Sequence, residues 1–237
     1  MTHVLSRAAA LLVALVALGA CDSGPVDAPG SSLAADQVEA LRGDAVALAF
    51  RYQLAVERDS DTVALPEALV GDLHRALLRV RESRRGDLVD GIRARPDYLP
   101  HDVLVAPAVS AAWTEAWRRG ETVTGYAPVD SLVRQYGLTL ADYYEYPTVK
   151  RALLRTAAPV NTVALARTFE RVPGLDSAGP NGLGGDGDDI EATRRPGGWR
   201  FDFSRGSGDC PSGCIQRTYW TFQTAGDDVE YLGTRER

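Results

Sequence analysis

From Trp199 to Arg205 the chain alternates without a break. Trp199, Phe201 and Phe203 are aromatic, and Arg200, Asp202 and Ser204 between and after them are polar. Successive side chains of a β-strand point to opposite faces, so this run is a strand with one buried face and one wet face. A sheet made of such strands is antiparallel and needs a second layer to cover its aromatic side. Its neighbours are legible too. Ile190 to Arg194 precedes it across Pro196-Gly197-Gly198, a turn signal, and Ile215 to Thr224 leads through Ala225-Gly226-Asp227 into Val229 to Leu232. The end of the chain therefore reads as an antiparallel meander.

Upstream, the spacing changes to that of helices. Pro66 suits a first helical turn, and Leu69, Val70, Leu73, Leu77 and Val80 form one apolar stripe ended by Arg81 to Gly86. Asp44 to Arg58 carries Ala45, Leu48, Ala49 and Tyr52 at helical spacing, with a strand around Ala47–Leu54 as the alternative. Ser110 to Arg119, with Trp113 and Trp117 on one face, and Pro128 to Tyr136, stopped by Gly137, are shorter helices. Residues 87–107, with three prolines, read as an irregular segment containing one or two short strands. Val149 to Thr156 is a strand. Asn161 is an N-cap for a helix facing inward with Leu165, Ala166, Phe169 and Val172, and Pro173-Gly174 returns the chain as a strand over Leu175 to Ala178. The expected fold is α+β: a helical N-terminal part packed on a C-terminal antiparallel sheet that includes one strand–helix–strand unit. The expected division is 36–147, mainly helical, and 148–237, antiparallel α+β with a cysteine loop.

The first residues follow a different logic. After Arg7, Ala8 to Ala20 is wholly apolar or glycine. These thirteen residues are fewer than the roughly 20 that a spanning helix needs. A basic start, a short apolar run and small residues describe an export signal over 1–20. Leu18-Gly19-Ala20-Cys21 resembles the lipobox of bacterial lipoproteins, which implies acylation of Cys21 and a membrane held through that lipid. Two or more acyl chains anchor stably where one does not. Asp22 resembles the inner-membrane retention signal of enteric lipoproteins, and the choice between inner and outer membrane stays open. Residues 21–35 are rich in Gly, Pro, Ser and Ala and read as a flexible tether.

Charge narrows the partners. The chain carries 26 Lys+Arg against 32 Asp+Glu, and loss of Arg7 with the signal takes the net charge from −6 to −7. An acidic chain without a dense basic block, whose adjacent arginines Arg84-Arg85, Arg118-Arg119 and Arg194-Arg195 are isolated pairs, is a poor nucleic-acid binder. Lys150 is the only lysine.

The C-terminal motifs carry a resemblance. Gly184 to Glu191 (GGDGDDIE), Gly208 to Cys214 (GDCPSGC) and Tyr219 to Phe222 (YWTF) resemble a family of uncharacterised bacterial envelope lipoproteins that share GDGxDIE, GDCPxGC and YWTF patterns. The likeness spans about 150–233 and implies an antiparallel sheet with a tight cysteine loop. A shorter stretch, Ala164 to Arg167 through Pro173-Gly174-Leu175 to Asn181, is similar to the helix and return strand of subtilase propeptides. That similarity implies a ferredoxin-like unit and an inhibitory or chaperone role. Here the chain runs on to Arg237.

Candidate chemistry is sparse. Cys210 and Cys214 are the cysteines left once Cys21 is acylated, and two nearby cysteines outside the cytoplasm oxidise to a disulfide. Closing so small a ring contributes about 2 kcal/mol, so it fixes local geometry. Asp186, Asp188 and Asp189, with Asp209 if the strands bring it near, are calcium candidates, although the EF-hand spacing is missing; the alternative is aspartates that cap turns. His101-Asp102 is a possible dyad without a Gly-x-Ser-x-Gly elbow, and His74 borders an apolar stripe. Tyr219 and Trp220 are adjacent on one strand, so one leaves the core face and becomes a candidate contact for a protein or glycan; the Tyr143-Tyr144-Glu145-Tyr146 run offers the same. No catalytic set and no cofactor are expected. The expected function is that of a membrane-anchored envelope lipoprotein acting as a non-enzymatic binding or structural module. The alternatives are a peptidase-inhibitor or intramolecular-chaperone-like module and an enzyme of unknown type.

Overall fold

The computed structural model describes residues 32–56, 61–210 and 212–237. The signal, Cys21 and most of the tether lie outside the described residues. The fold is α+β, with helices at the N-terminal side packed on a C-terminal antiparallel sheet. The described residues hold two sheets of four strands each, and the chain visits them in an order that contiguous reading does not suggest.

The outer core joins the two ends of the described chain. Helix α1 (Ala35–Val56) and helix α2 (Glu67–Glu82) pack on the meander β5 (Asp189–Arg195), β6 (Gly198–Ser207), β7 (Gln216–Ala225) and β8 (Asp228–Glu236). The alternation in β6 does as expected: Trp199, Phe201 and Phe203 are buried, with Phe201 opposite Phe222 and Phe203 opposite Trp220 on β7. The stripe Val70, Leu73, Leu77 and Val80 of α2 is buried against them. At the β5–β6 turn, Gly198 has no substitute, because a Cβ there would overlap the Thr224 carbonyl. The α1 segment is one helix through Ala47–Leu54, which settles the helix against the strand alternative, and it begins nine residues before Asp44. The last tether residues are docked as well: Ser32 N–H donates to Glu82 Oε1 at 3.0 Å and Leu33 packs on the core.

The central unit is contiguous. It runs β1 (Tyr98–Pro107), a short helix α3 (Glu115–Arg118), α4 (Ala127–Gln135), β2 (Leu138–Tyr146), β3 (Val149–Thr156), α5 (Thr162–Glu170) and β4 (Leu175–Gly182). Its strands lie in the order β2-β3-β1-β4, all antiparallel to their neighbours. A β-α-β-β-α-β chain with the first strand between the third and fourth is the ferredoxin-like arrangement. The expected strand–helix–strand unit is β3–α5–β4, and it belongs to this central sheet rather than to the C-terminal meander. Asn161 caps α5 as expected, its Oδ1 accepting the Ala164 N–H at 3.0 Å. Trp113 and Trp117 meet edge to face with ring centres 5.0 Å apart.

The division at 147/148 does not survive. It falls in the turn of the β2–β3 hairpin, where Tyr146 pairs with Val149. Strand β2 escaped the sequence because the register slips between Leu140 and Asp142, leaving Ala141 as an extra residue that breaks the alternation. Among the described residues no helix is long and apolar enough to cross a membrane.

Lys150 is buried on the helix-covered side of β3. Its ammonium donates to the Ala111 carbonyl and to Thr114 Oγ1, both at 3.0 Å, and stands 3.7 Å from Glu145. It ties the β1–α3 connection to the sheet. Replacing it by Met takes the ammonium from both acceptors and leaves the Ala111 carbonyl only the Thr114 hydroxyl, 2.8 Å away. The expected cost for Lys150→Met is about 2–4 kcal/mol. Denaturant unfolding of both proteins checks it, and an unchanged midpoint would mean the ammonium holds nothing.

Candidate functional site

The GDGDDIE run and the cysteine loop interlock. Cys210 and Cys214, the pair expected to oxidise, stand within disulfide distance of each other. Asp186 N–H donates to the Cys210 carbonyl, while its carboxylate accepts the Cys214 N–H at 2.9 Å, the Gly187 N–H at 2.8 Å and the Arg217 guanidinium. The Cys214 N–H, then Arg217, then the Gly187 N–H hold the Asp186 carboxyl far below the usual carboxylate range. Gly206 on β6 leaves room for the pair: a Cβ there would overlap Cys214 Sγ.

The other two calcium candidates are also engaged by donors. Asp188 Oδ1 accepts the Gly206 N–H at 3.0 Å, and Arg205 stands 3.5 Å from its other oxygen. Asp189 Oδ1 accepts from Arg95 N at 2.7 Å, Ile190 N at 2.8 Å and Arg51 Nη2 at 2.9 Å. Three carboxylates each turned to N–H groups act as turn and end caps. Among the described residues no group of three or more His, Cys, Asp or Glu side chains is placed to hold a metal ion.

The histidines have backbone partners. His74 Nε2 meets the Val38 carbonyl and pins α2 to α1; His101 Nδ1 meets the Thr156 carbonyl. Asp102 is buried, and its carboxylate takes a bidentate pair from Arg155 at 2.7 and 2.9 Å, which with Asn181 lowers its pKa against the pull of burial. It is directed to Arg155. The nearby Thr156 hydroxyl donates to the Ala158 carbonyl at 2.7 Å and not to the His101 ring.

Tyr219 and Trp220 take opposite faces of β7. Trp220 packs on the outer core, and Tyr219 lies on the other face under the Arg235 guanidinium, 3.7 Å from its ring centre. Tyr143 turns into the central core, whereas Tyr144 and Tyr146 stay exposed with ring centres 6.2 Å apart.

One concave site has no sequence motif. A cavity of about 510 Å³ lies between the start of α1, the end of α2 and the segment after it. Leu33 and Leu41 give it an apolar wall, Arg81 and Arg93 a cationic one, and the exposed Asp36, Asp87 and Asp90 stand at its mouth. Behind the arginines lies Asp44, only 2 % exposed, accepting from Arg93 Nε at 2.9 Å and from Ala94 N at 2.9 Å. Burial raises the Asp44 pKa more than Arg93 lowers it. Arg81 is fixed by donating to the Val89 and Ile92 carbonyls and lies over the Phe203 ring. A charged residue directly before the apolar run Ala45–Phe50 was the one visible sign of this site. A depression this size with few convergent polar groups is a ligand-sized site.

Compared with family models, with curated proteins and with solved structures, the chain has no match.

The interlock gives a pH test. The folded pKa of Asp186 is depressed below its unfolded value near 3.8, so its contribution is present above about pH 4 and is lost as the pH falls below that. Asp186→Asn is expected to melt lower than the parent at pH 7, with the gap closing steadily below pH 4. A gap independent of pH would mean that the carboxylate charge plays no part.

Proposed function

We propose that the protein is an envelope lipoprotein, anchored through acylated Cys21, that works as a non-enzymatic binding module. The anchor half is supported by the apolar run ending in Leu18-Gly19-Ala20-Cys21. The binding half is carried by one observation: the cavity is built at the root of the tether, with Leu33 in its wall and Ser32 bonded to Glu82. Ten residues lie between Cys21 and Ser32, a reach of at most roughly 40 Å. The prominent carboxylates elsewhere, Asp102, Asp186 and Asp189, are committed to N–H and guanidinium partners and serve the fold.

Intact-mass spectrometry of protein purified from native membranes tests the anchor. The expected mass begins at Cys21 with acyl chains added, and thiol alkylation is expected only after reduction. An unmodified mass overturns the anchor, and alkylation before reduction overturns the disulfide.

A second reading has its own support. The ferredoxin-like order of the central unit, with 164–181 falling on α5 and β4, favours a peptidase-inhibitor or intramolecular-chaperone role. Strand β4 runs on into the meander, so any inhibition uses the sheet or loops of the unit rather than a free tail. A panel of serine proteases separates the readings: slowed cleavage of a peptide substrate supports this one, and unchanged rates across the panel reject it.

A further inference from the structure

The two sheets differ in what their uncovered faces carry. On the wet face of the meander the charged groups are matched within the chain: Asp202 takes Arg200 and the Thr221 hydroxyl, Asp186 takes Arg217, and Arg235 lies over Tyr219. The central sheet has α4 and α5 on one face, over Val103, Val105, Ala152 and Leu154. The alternate residues make its other face. From β2 to β3, Asp142 lies beside Leu153 and Tyr144 beside Arg151; from β3 to β1, Leu153 lies beside Leu104. Leu104 and Leu153 are half-buried and belong to neither core, and Tyr144 is exposed.

The charges on this face are unmatched. Arg151 is exposed and has no hydrogen bond or ion pair among the described residues. Asp142, also exposed, accepts the N–H of its neighbour Tyr143 at 2.8 Å and has no ion pair among them. Tyr144, Leu153 and Leu104 run obliquely across three strands, with Asp142 on one side of that line and Arg151 on the other. Such a face complements itself. A half-turn about the line lays the tyrosine and leucines on their own copies and exchanges the two charged positions, so that each Arg151 meets the Asp142 of the other copy. We propose that the open face of the central sheet binds a second copy of this chain, through Tyr144, Leu153 and Leu104 and two reciprocal Arg151–Asp142 pairs. An oblique axis makes the strands of the two copies cross steeply, as in orthogonal sheet packing. The proposal stands apart from the anchor and from the cavity.

Sedimentation equilibrium of the full-length protein in density-matched detergent tests it. The parent is expected at twice the mass of one chain. Arg151→Asp alone, or Asp142→Arg alone, sets like charges against each other at both pairs and is expected to weaken association about a hundred-fold or more. The two substitutions together restore opposite charges and are expected to restore the dimer. Circular dichroism checks that each variant is folded. Should a single reversal unfold, Arg151→Gln, which removes the charge without reversing it, is expected to weaken association about ten-fold. A monomeric parent overturns the proposal and leaves the face to a different partner. A dimer indifferent to the single substitutions, or a double reversal that stays monomeric, overturns it as well.

Discussion

The aromatic face of the C-terminal meander is covered by helices made at the other end of the chain. Everything else is arranged around that closure. Arg51 of α1 reaches the Ile190 carbonyl at 2.9 Å across a separation of 139 residues, and its other terminal nitrogen holds Asp189. The same Asp189 oxygen takes the Arg95 N–H, so one carboxylate joins α1, the entry to the central unit and the exit from it. This carboxylate is only part-buried, and three N–H groups converge on its Oδ1. With the ends joined there, the residues between 98 and 182 loop out and, together with Val63, make a second core.

The two cores are stitched beside that joint. Ala64, between the helices, bridges to Val160, and Asn161 gives its N–H to the Val63 carbonyl while its side chain meets Gln53 of α1. Val63 sits in the central core and Leu65 packs on the outer one, two residues apart on one extended segment. The N-cap of α5 is therefore also a cross-tie, which explains a buried asparagine at a helix start. The hairpins of the meander are local, whereas the β1–β4 pairing of the central unit and the closure of the outer core are long-range, the slower kind of contact to form.

Legibility in the sequence follows the range of the interaction. The β6 alternation, the α2 stripe, the Asn161 cap and the glycine turns are local, and each stands where the residues indicate. Which elements share a core is not local, and the apolar period of α2 does not say whether β3 or β6 lies beneath it. Strand β2 was hidden for another reason: the extra Ala141 shifts Tyr143 to the inner face and breaks the period of two. The Asp186–Asp189 run was recognised as special, but composition could not distinguish metal ligands from turn caps; the answer lay in the Cys214, Gly206 and Arg95 N–H groups, none adjacent in sequence. The cavity was invisible because its walls come from three segments, and only Asp44, out of place before an apolar run, marked it.

That cavity is coupled to the closure of the fold. Its floor residue Arg81 lies on Phe203 of β6, and Arg205 of the same strand donates to the Asp90 carbonyl at the mouth. Removing the meander would take away the surface that holds both. The site exists only when the two ends of the chain have met, so whatever binds there binds the closed protein alone. By mass action such a ligand stabilises the closure, by about 2.7 kcal/mol at a hundred times its dissociation constant. The Asp44 carboxylate, whose burial is a cost that Arg93 only partly offsets, sits at the same place. A fold that keeps an expensive buried charge under a concave surface, rather than filling it with apolar side chains, holds two guanidinium groups in fixed positions.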